Sequence, residues 1–567
     1  MAKKPVTIGE IIGFLIFVLA TSVGCFLILK GYAEIKLDVG YVASSYRQAI
    51  IYDDNFKEIK YLNRGTKINY NLKEIVQKNI TYYRLKEDKM DYYIKKDNVV
   101  LSRHNAVLEK ILYVRTPVTV YKKADNGKIV TLIKKGEAIE VIGFDKLNKD
   151  GRVDMYKIKY QNDVGYVYGK YLVKDKDVAL LNYDELASYQ THKERDDFYG
   201  GGGAGNLDYY PVKKPHFKNN IMPDEVRSLY LNIESLSNIE AYIALAKQNN
   251  INAFVVDIKE NSMISYQSEV INKISPTQYK HAYYKLEDYQ YIIHKLKANG
   301  FYIIGRITLF KDDYYAADYP TRAISLKATN QPYEHNGAYW PSPFNRQVWE
   351  FNVSLAKEAV VLMGFNEIQF DYIRFPDGLY YAEADGLIDL KNTYNETKAE
   401  AIQNFLFYAT DELHKVDAYV SADVFGEAAH SYVTSYGQYW PAISNVVDVI
   451  SAMPYPDHFD EHQYGINEIV WEVPYKLLNI WGTNYVMNRQ AEIPSPAKLR
   501  TWIQAYDTIK EPYIVYDDNK ISDQIRGLYN AGLTGGYMTW NGSSSLDKYS
   551  NVKEAFKKEY ERWRNIK

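Results

Sequence analysis

Three aspartates close to the ends of predicted strands are the residues of this chain best suited to chemistry. They are Asp257, Asp371 and Asp423. In each strand, apolar and polar residues alternate, so one face can pack against helices while the aspartate points the other way. Paired carboxylates are what glycoside cleavage needs, because one protonates the leaving oxygen while the other attacks the anomeric carbon or activates water. If the strands share one sheet edge, these residues predict a sugar-processing site.

The three aspartates and one nearby glutamate are expected to have different roles. Asp371 is expected to be the nucleophile or base, and the general acid is expected to be Asp423 or Glu427, which follows the same strand as Asp423. Asp257 is expected to contact substrate, or else to pair with a cation inside the protein. Glu367 lies one strand-length deeper than Asp371, where a buried ion pair is expected rather than chemistry.

Other residues at or after strand ends are candidates for contact with substrate. The aromatic ones can stack on sugar rings or pack in the core. Arg374 is expected to hold a carboxylate in its ionised state. The predicted substrate-binding residues are Asp257, Arg306, Tyr372, Arg374, Tyr455, His458, Gln504, Trp540 and Asn541.

The sequence predicts no metal site and no cofactor. Its only cysteine is Cys25, and its ten histidines are scattered. His458 and His462 are four residues apart, but no clear helix carries them. The glycine-rich stretch 200–205 is not followed by Lys-Ser or Lys-Thr, so it is not a phosphate loop. Lys and Arg number 69 against 71 Asp and Glu, a balance that does not favour a nucleic-acid partner.

The elements that must position these side chains are alternating strands and helices from residue 225 to 567. Eight strands are predicted, at residues 228–233, 253–259, 302–310, 367–375, 419–425, 447–453, 501–506 and 535–540. This order predicts an α/β fold, a (β/α)₈ TIM barrel, in which the carboxyl ends of the strands meet at one mouth. A doubly wound open sheet is the alternative, but no Gly-rich nucleotide turn follows the first strand.

The N-terminal residues predict an anchor. Residues 11–29 form an apolar run long enough to cross a bilayer, and Lys3 and Lys4 precede it. Residues 1–35 are therefore expected to be a cytoplasmic tip and a transmembrane helix, with the rest of the chain outside the cytoplasm. A cleaved signal peptide or lipoprotein signal is the alternative.

Between this anchor and the barrel, the sequence predicts small all-β domains. In residues 111–175 a strand is followed by Lys135-Gly136, another strand and Gly165-Tyr-Val167, an order that resembles bacterial SH3-like domains. Residues 40–110 are expected to be a diverged copy, and 176–224 a linker. The resemblance implies contact with cell-wall peptides or glycans; a rigid spacer is the alternative.

Several motifs of the C-terminal region resemble a known family. They include Val255-Val-Asp-Ile-Lys259, Glu367-Ile-Gln-Phe-Asp-Tyr-Ile-Arg-Phe-Pro376, Ser421-Ala-Asp-Val-Phe-Gly426 and Met453-Pro-Tyr-Pro456. Together they resemble the glycosyl hydrolase-type domain of bacterial secreted proteins, formerly called a domain of unknown function. The resemblance implies a TIM barrel distantly similar to α-amylase-type glycosidases.

In that wider group the aspartate of strand four is the nucleophile, which implies this role for Asp371. The acid of strand five is usually Glu, whereas Asp423 stands here, so Glu427 stays an alternative. The strand-four motif also resembles the chitinase type, but Ile373 stands where that type has its catalytic Glu. This difference argues against substrate-assisted catalysis.

The expected function is that of a membrane-anchored, extracytoplasmic glycoside hydrolase acting on a cell-wall or extracellular polysaccharide. One alternative is a non-catalytic protein that binds glycan or cell wall in a TIM-barrel cleft. A scaffold of an envelope assembly is a further alternative, and it predicts a protein partner without glycan binding.

Overall fold

The computed structural model describes residues 7–35, 37–87, 90–181, 188–193, 195, 197 and 199–558. The chain divides into two compact units. One comprises residues 1–125 and 133–180, and the other comprises residues 126–132 and 181–567.

The prediction of an N-terminal transmembrane helix is wrong. Residues 11–29 lie in helix Ile8–Ile35. Within the described part of the chain, however, no helix combines the length and the apolarity needed to cross a bilayer. Helix Ile8–Ile35 therefore does not meet the requirement that the anchor assignment depended on.

The next residues form two sheets of seven strands each. The strands of the first are Leu37–Val42, Gln48–Tyr52, Glu58–Asn63, Lys67–Gln77, Ile80–Glu87, Met90–Lys95 and Val99–Val100. Those of the second are Ile111–Val114, Val118–Lys123, Asn126–Ile133, Ala138–Phe144, Met155–Tyr160, Asp163–Tyr168 and Leu172–Val173. A short helix, Lys176–Leu180, follows. The likeness of residues 111–175 to SH3-like domains is not confirmed, and the predicted domain boundaries stay predictions.

The second unit contains a nearly closed barrel of nine parallel strands, one more than the sequence predicts. The strands numbered here as barrel strands 1 to 6 are Val226–Leu231, Ala253–Glu260, Tyr302–Thr308, Glu367–Asp371, Tyr419–Phe425 and Val449–Met453. Barrel strand 7 is split into Lys498–Leu499 and Thr501–Gln504, and barrel strand 8 is Gly536–Trp540.

The extra strand arises because barrel strand 7 changes partner at Arg500. Lys498 and Leu499 pair with Val449 and Ile450 of barrel strand 6, whereas residues 501–504 pair with barrel strand 8. Barrel strand 8 pairs in turn with barrel strand 1. One continuous segment, residues 498–504, therefore connects barrel strand 6 to barrel strand 8 and closes the ring of strands.

Helices precede, connect and follow the barrel strands. The longer ones are Ile239–Gln248, Leu286–Ala298, Arg346–Met363, Lys398–His414, Pro474–Trp481 and Asp518–Asn530. Shorter ones are Ser188–Lys193, Glu269–Ile274, Pro276–Lys280, Asp313–Asp318, Tyr380–Ala384, Trp440–Ser444, Met487–Gln490, Leu546–Asn551 and Lys553–Lys557. Three short strand pairings complete the unit: Met263–Ile264 with barrel strand 2, Ser325–Leu326 with Ile388–Asp389, and Glu334–His335 with Ala338–Tyr339.

Local sequence explains where the helices around barrel strand 4 begin and end. Asn345 caps helix Arg346–Met363 by accepting hydrogen bonds from the amides of Gln347 and Val348. Gly364, with φ of 74°, ends that helix in the left-handed conformation and turns the chain into barrel strand 4. Thr397 begins helix Lys398–His414 through a reciprocal capping box with Glu400.

The barrel interior is filled by side chains in its lower part. A buried cluster contains Val226, Tyr230, Ala253, Val255, Tyr302, Ile304, Tyr419, Tyr455, Trp502 and Met538. Below the mouth, Arg500 pairs with Glu367 at 2.8 Å, and both side chains are buried. Glu367 is thus in the buried ion pair that its depth in the strand predicts. The packed interior confines any ligand site to the carboxyl ends of the strands.

Candidate active site

A single guanidinium, that of Arg306 on barrel strand 3, holds three carboxylates together at the mouth of the barrel. Its Nη1 donates to Asp257 Oδ1 at 2.7 Å and also to Glu260. Its Nε and Nη2 donate to Asp371 Oδ2 at 3.1 and 2.7 Å. Arg306 and Asp257 are completely buried, whereas Glu260 is about one-third exposed. The centre carries more negative than positive charge when all three carboxyls are ionised.

Strand register explains why these residues meet. Asp257 is the direct neighbour of Arg306 in the parallel pairing of barrel strands 2 and 3. Arg306 pairs with Gln369, which is two residues below Asp371 on the same face of barrel strand 4. The long side chain of Arg306 therefore reaches upward to the carboxylate of Asp371.

A bulge in barrel strand 2 adds Glu260 to this group. The register of barrel strands 2 and 3 shifts between Asp257 and Lys259. In a regular strand, residues three apart point to opposite faces, so Asp257 and Glu260 could not share a partner. The shift reverses the alternation beyond Asp257, and Glu260 turns toward the mouth.

Burial and neighbouring charges shift the pKa values of this group in opposite directions. Burial raises the pKa of the Asp257 carboxyl to about 7, although the charge of Arg306 lowers it. Burial alone would lower the pKa of Arg306, but Glu260, Asp257 and Asp371 together raise that pKa well above its usual value. Tyr230 donates a hydrogen bond to Asp257 Oδ2 at 2.5 Å. The Arg306 cation is thus fixed in the charged state.

Asp371 is held at both of its oxygens. Arg306 donates to Oδ2, and the amide of Tyr372 donates to Oδ1 at 2.6 Å. Tyr372 has φ of 51°, in the left-handed region that a bulky residue rarely occupies. This backbone conformation ends barrel strand 4 at Asp371, four residues earlier than predicted.

Asp423 lies near this group but deeper than the sequence suggests. Trp502 Nε1 donates to its Oδ1 at 2.9 Å, and its Oδ2 is buried without a partner among the described residues. Burial and the negative charge of Asp371 raise the pKa of Asp423 well above its usual value. The residue is only 1% exposed, so it lies behind the surface of the mouth rather than on it.

A cavity of about 320 Å³ opens above these carboxylates. Its walls combine charge with flat aromatic rings, including Glu260, Arg306, Asp371, Tyr455, Trp502 and Trp540. Trp540 packs against Tyr230 with ring centres 4.5 Å apart, and the guanidinium of Arg306 lies 5.1 Å from its ring centre. A carboxylate beside aromatic rings in a cavity wall is an arrangement suited to a sugar ring.

The other predicted substrate-binding residues divide into two groups. Tyr372, Arg374, Tyr455, His458 and Trp540 all line the cavity. The carboxylate that Arg374 contacts is that of Asp377, at 3.0 Å. Gln504 and Asn541 are buried, and their side chains form hydrogen bonds with the backbone. Gln504 Nε2 donates to the Tyr506 carbonyl, and Asn541 Nδ2 donates to the Ala505 carbonyl.

Glu427 lies in a neighbouring cavity of about 650 Å³ rather than in the one that contains Asp371. Tyr432 and Tyr436 donate to its two oxygens at 2.9 and 2.7 Å. Phe425, Met453 and His458 line both cavities, so the two are contiguous.

The cavity residues that the sequence predictions missed are Glu260, Phe425, Met453 and Trp502. Trp502 lies within a predicted strand and carried no signal beyond its aromatic character. Glu260 follows Lys259 at the end of barrel strand 2, and only the bulge, which no local motif announces, turns it inward. Within the described ranges, no group of three or more His, Cys, Asp or Glu side chains could hold a metal ion.

Comparison with solved structures gives distant likenesses. A hypothetical protein from Ruminiclostridium thermocellum ATCC 27405 is 29% identical over 35% of this chain and 97% of its own, with a TM-score of 0.30. The PgaB (BpsB) glycoside hydrolase domain from Bordetella bronchiseptica is 12% identical over 59% of this chain and 98% of its own, with a TM-score of 0.43. The chitobiase of Flavobacterium johnsoniae is 12% identical over 59% of this chain and 47% of its own, with a TM-score of 0.38. At these scores the likenesses carry no functional argument.

The family comparison is more decisive. No curated protein matches the chain. The model of one protein family, described as "Putative glycosyl hydrolase domain", matches residues 228–546, which extend from within the first barrel strand to beyond the last and include every residue of the carboxylate group. This match covers more than half of the 567 residues. The chain therefore belongs to this glycosyl hydrolase-type family.

Proposed function

We propose that this protein is a glycoside hydrolase that cleaves O-glycosyl bonds in a cell-wall or extracellular polysaccharide outside the cytoplasm. One observation carries the proposal. Asp371 lies in the wall of an aromatic cavity with one oxygen held by two N–H groups of Arg306. A carboxylate fixed in this way has the position and the charge to act on an anomeric carbon.

Asp371 would act as the nucleophile or as the base that activates water. The hydrogen bonds from Arg306 and from the Tyr372 amide orient its carboxylate before substrate arrives. Preorganised groups of this kind stabilise the transition state without the cost of reorganisation. The remaining negative charge of the group, on Glu260 in particular, would favour the positive charge that develops on the sugar ring.

The second carboxyl must be protonated and must reach the leaving oxygen. Asp423 fits the first condition, because burial and the charge of Asp371 raise its pKa well above its usual value and so favour the protonated form. Glu260 fits the second, because it lines the same cavity as Asp371. Of the two, Asp423 is our proposed acid, because an acid must hold the proton that it donates.

The test of the function is the release of reducing ends from purified wall and exopolysaccharide fractions by the full chain. Wild-type protein should release them, and the Asp371→Asn variant should be slower by roughly 10²–10⁴-fold while it still folds at the assay temperature. Glu468→Gln, a change in an exposed pair with Lys476, is the matched control and should behave as wild type. Full turnover by Asp371→Asn would refute the role of Asp371.

The acid is identified with an activated aryl glycoside of the sugar that the enzyme releases. Because a phenolate leaves without a proton, the acid variant should recover activity on this substrate but not on polysaccharide. We expect this pattern for Asp423→Asn and not for Glu260→Gln. The reverse pattern would transfer the role to Glu260. Glycan binding without any release would instead favour a non-catalytic binding protein.

A further inference from the structure

The larger cavity beside the proposed active site has no role in the chemistry described so far. It measures about 650 Å³ and shares Phe425, Met453 and His458 with the cavity of Asp371. A polysaccharide chain with one ring above Asp371 must continue in some direction, and this opening is contiguous with that position. The cavity is therefore placed to receive a neighbouring ring of the same chain.

Aromatic rings and carboxylates dominate its walls. Phe425, Tyr432, Phe459 and Tyr464 provide the rings, and Glu427 and Asp460 provide two carboxylates. Among the described residues that line the cavity, none is Lys or Arg. Aromatic walls suit the apolar face of a sugar ring, whereas two carboxylates without a lining cation suit a positively charged substituent.

The hydrogen bonds around Glu427 leave its charge uncompensated. Its oxygens accept from Tyr432 and Tyr436, which are neutral donors. Since the Tyr432 hydroxyl gives its proton to Glu427, it must accept from Nδ1 of His430, at 2.9 Å. Nε2 of His430 lies 2.9 Å from the Tyr464 hydroxyl, which can donate to it.

These hydrogen bonds can form with a neutral imidazole at position 430. Burial lowers the pKa of His430 and so favours this neutral form. Burial also lowers the pKa of His458, the histidine at the boundary between the two cavities. Neither imidazole therefore supplies a positive charge to offset Glu427 at neutral pH.

Three cations near this cavity do not line it. Arg374 lies over the ring of Phe425 and pairs with Asp377. Arg489 pairs with Glu492 at 3.0 Å, and Lys510 donates to the carbonyl of Phe459 at 2.7 Å. The carboxylates of Glu427 and Asp460 thus belong to a cavity whose described lining contains no Lys or Arg, and a ligand cation would complement them there.

We infer that this cavity is a subsite for a sugar ring that carries a protonated amine. Its ammonium group would lie between Glu427 and Asp460, and its ring would stack on the aromatic walls. This assignment rests on the proposed function, because the ring above Asp371 determines which opening the rest of the chain enters. It narrows the substrate to a glycan that contains free amino sugars.

Binding of a single ring tests the subsite without any turnover. We would measure binding of glucosamine, N-acetylglucosamine and glucose to the full wild-type chain by saturation-transfer NMR at about pH 6, where the amine is protonated. Glucosamine should bind roughly three to ten times more tightly than the two neutral sugars, and added salt should weaken this preference. Equal binding of glucosamine and N-acetylglucosamine would overturn the assignment.

Variants would show which side chains cause the preference for glucosamine over the neutral sugars. The double change Glu427→Gln and Asp460→Asn should abolish the preference for glucosamine, whereas Asp371→Asn and Glu468→Gln should retain it. Both altered side chains are exposed, and thermal unfolding would verify that the double variant still folds. Loss of the preference in Asp371→Asn alone would place the amine in the other cavity and refute the subsite.

The proposed hydrolase activity and the proposed amino-sugar subsite can be refuted independently of each other. A preference for glucosamine that depends on Glu427 and Asp460, in a protein that releases no reducing ends from any amino-sugar polymer, would support the subsite and count against the hydrolase. Release of reducing ends without the preference would support the hydrolase and refute the subsite.

Discussion

Arg306 donates two hydrogen bonds to the same oxygen of Asp371, from Nε at 3.1 Å and from Nη2 at 2.7 Å, while its Nη1 donates to Asp257. Only a guanidinium can present these donors in a fixed plane, because an ammonium group is a point charge on a flexible stem. The proposed nucleophile and the buried Asp257 therefore depend on one side chain.

Replacing this side chain tests that dependence. Arg306→Lys should lower kcat by about 10²-fold or more, because Asp371 would lose its fixed orientation. The variant should also lose about 3–5 kcal/mol in free energy of unfolding, since Asp257 would stay buried with poorer pairing. Steady-state kinetics and urea unfolding measure both effects. Arg374→Lys, in the same cavity but paired with Asp377, is the control and should change stability much less.

Asp257 should make the stability of the protein depend on pH. Its pKa is raised from 3.8 to about 7 in the folded protein, chiefly by burial. Between about pH 4 and pH 7 the folded state therefore keeps a proton that the unfolded state has lost. The contribution of Asp257 to stability must fall as pH rises through this window, by at most about 1.4 kcal/mol per pH unit.

Urea unfolding across this pH range measures the effect. Asp423 contributes with the same sign, because its pKa is raised as well, so the difference between wild type and Asp257→Asn isolates Asp257. The free energy of unfolding should fall more steeply with pH in wild type than in the variant. Parallel curves for the two proteins would show that Asp257 has an ordinary pKa in the folded state.

The buried pair of Glu367 and Arg500 should be important for stability. Glu367 accepts from Arg500 at 2.8 Å and from the Tyr302 hydroxyl at 3.0 Å, and the pair is about 1% exposed or less. Glu367→Gln should cost about 3–5 kcal/mol, because it leaves the Arg500 charge buried without its partner. Chemical denaturation gives the value, and Glu468→Gln, in an exposed pair, should show little change. Similar losses in both variants would contradict the prediction.

Trp540 should contribute to substrate binding rather than to the chemical step. Its ring lines the cavity and packs on Tyr230. Trp540→Ala should raise KM by roughly tenfold with a smaller effect on kcat, and Trp540→Phe should restore much of the affinity because it keeps an aromatic face. A fall in kcat at unchanged KM would indicate instead that Trp540 positions Arg306.

Much of the barrel is predictable from local sequence. The bounds of helix Arg346–Met363 follow from its sequence, because Asn345 and Gly364 are strong signals for its ends. The helical pattern of apolar residues over 464–489, by contrast, does not form one continuous helix. It is interrupted by short turns and begins its regular part at Pro474. Hydrophobic periodicity could not reveal these breaks, because the buried residues on both sides of them keep a helical spacing.

The site was only partly predictable. Alternation along strands is sufficient to bring Asp257 and Asp371 to one mouth, but it cannot identify their partner. Arg306 lines the cavity, as expected of a residue that contacts substrate, but its bonds to three carboxylates were not predicted, because they depend on register between strands that are distant in sequence. Glu260 was missed because a bulge reverses the alternation that the prediction assumed.

Tyr372 holds its left-handed backbone, φ of 51°, directly after the proposed nucleophile. A non-glycine residue in this region costs of order 1–3 kcal/mol, and glycine would avoid most of that cost. Here the strained residue aims its amide at Asp371 and places its own ring in the cavity wall. Thermal stability and function consequently favour different residues at position 372, so a sequence optimised for stability alone would carry glycine and would lose an aromatic contact beside Asp371.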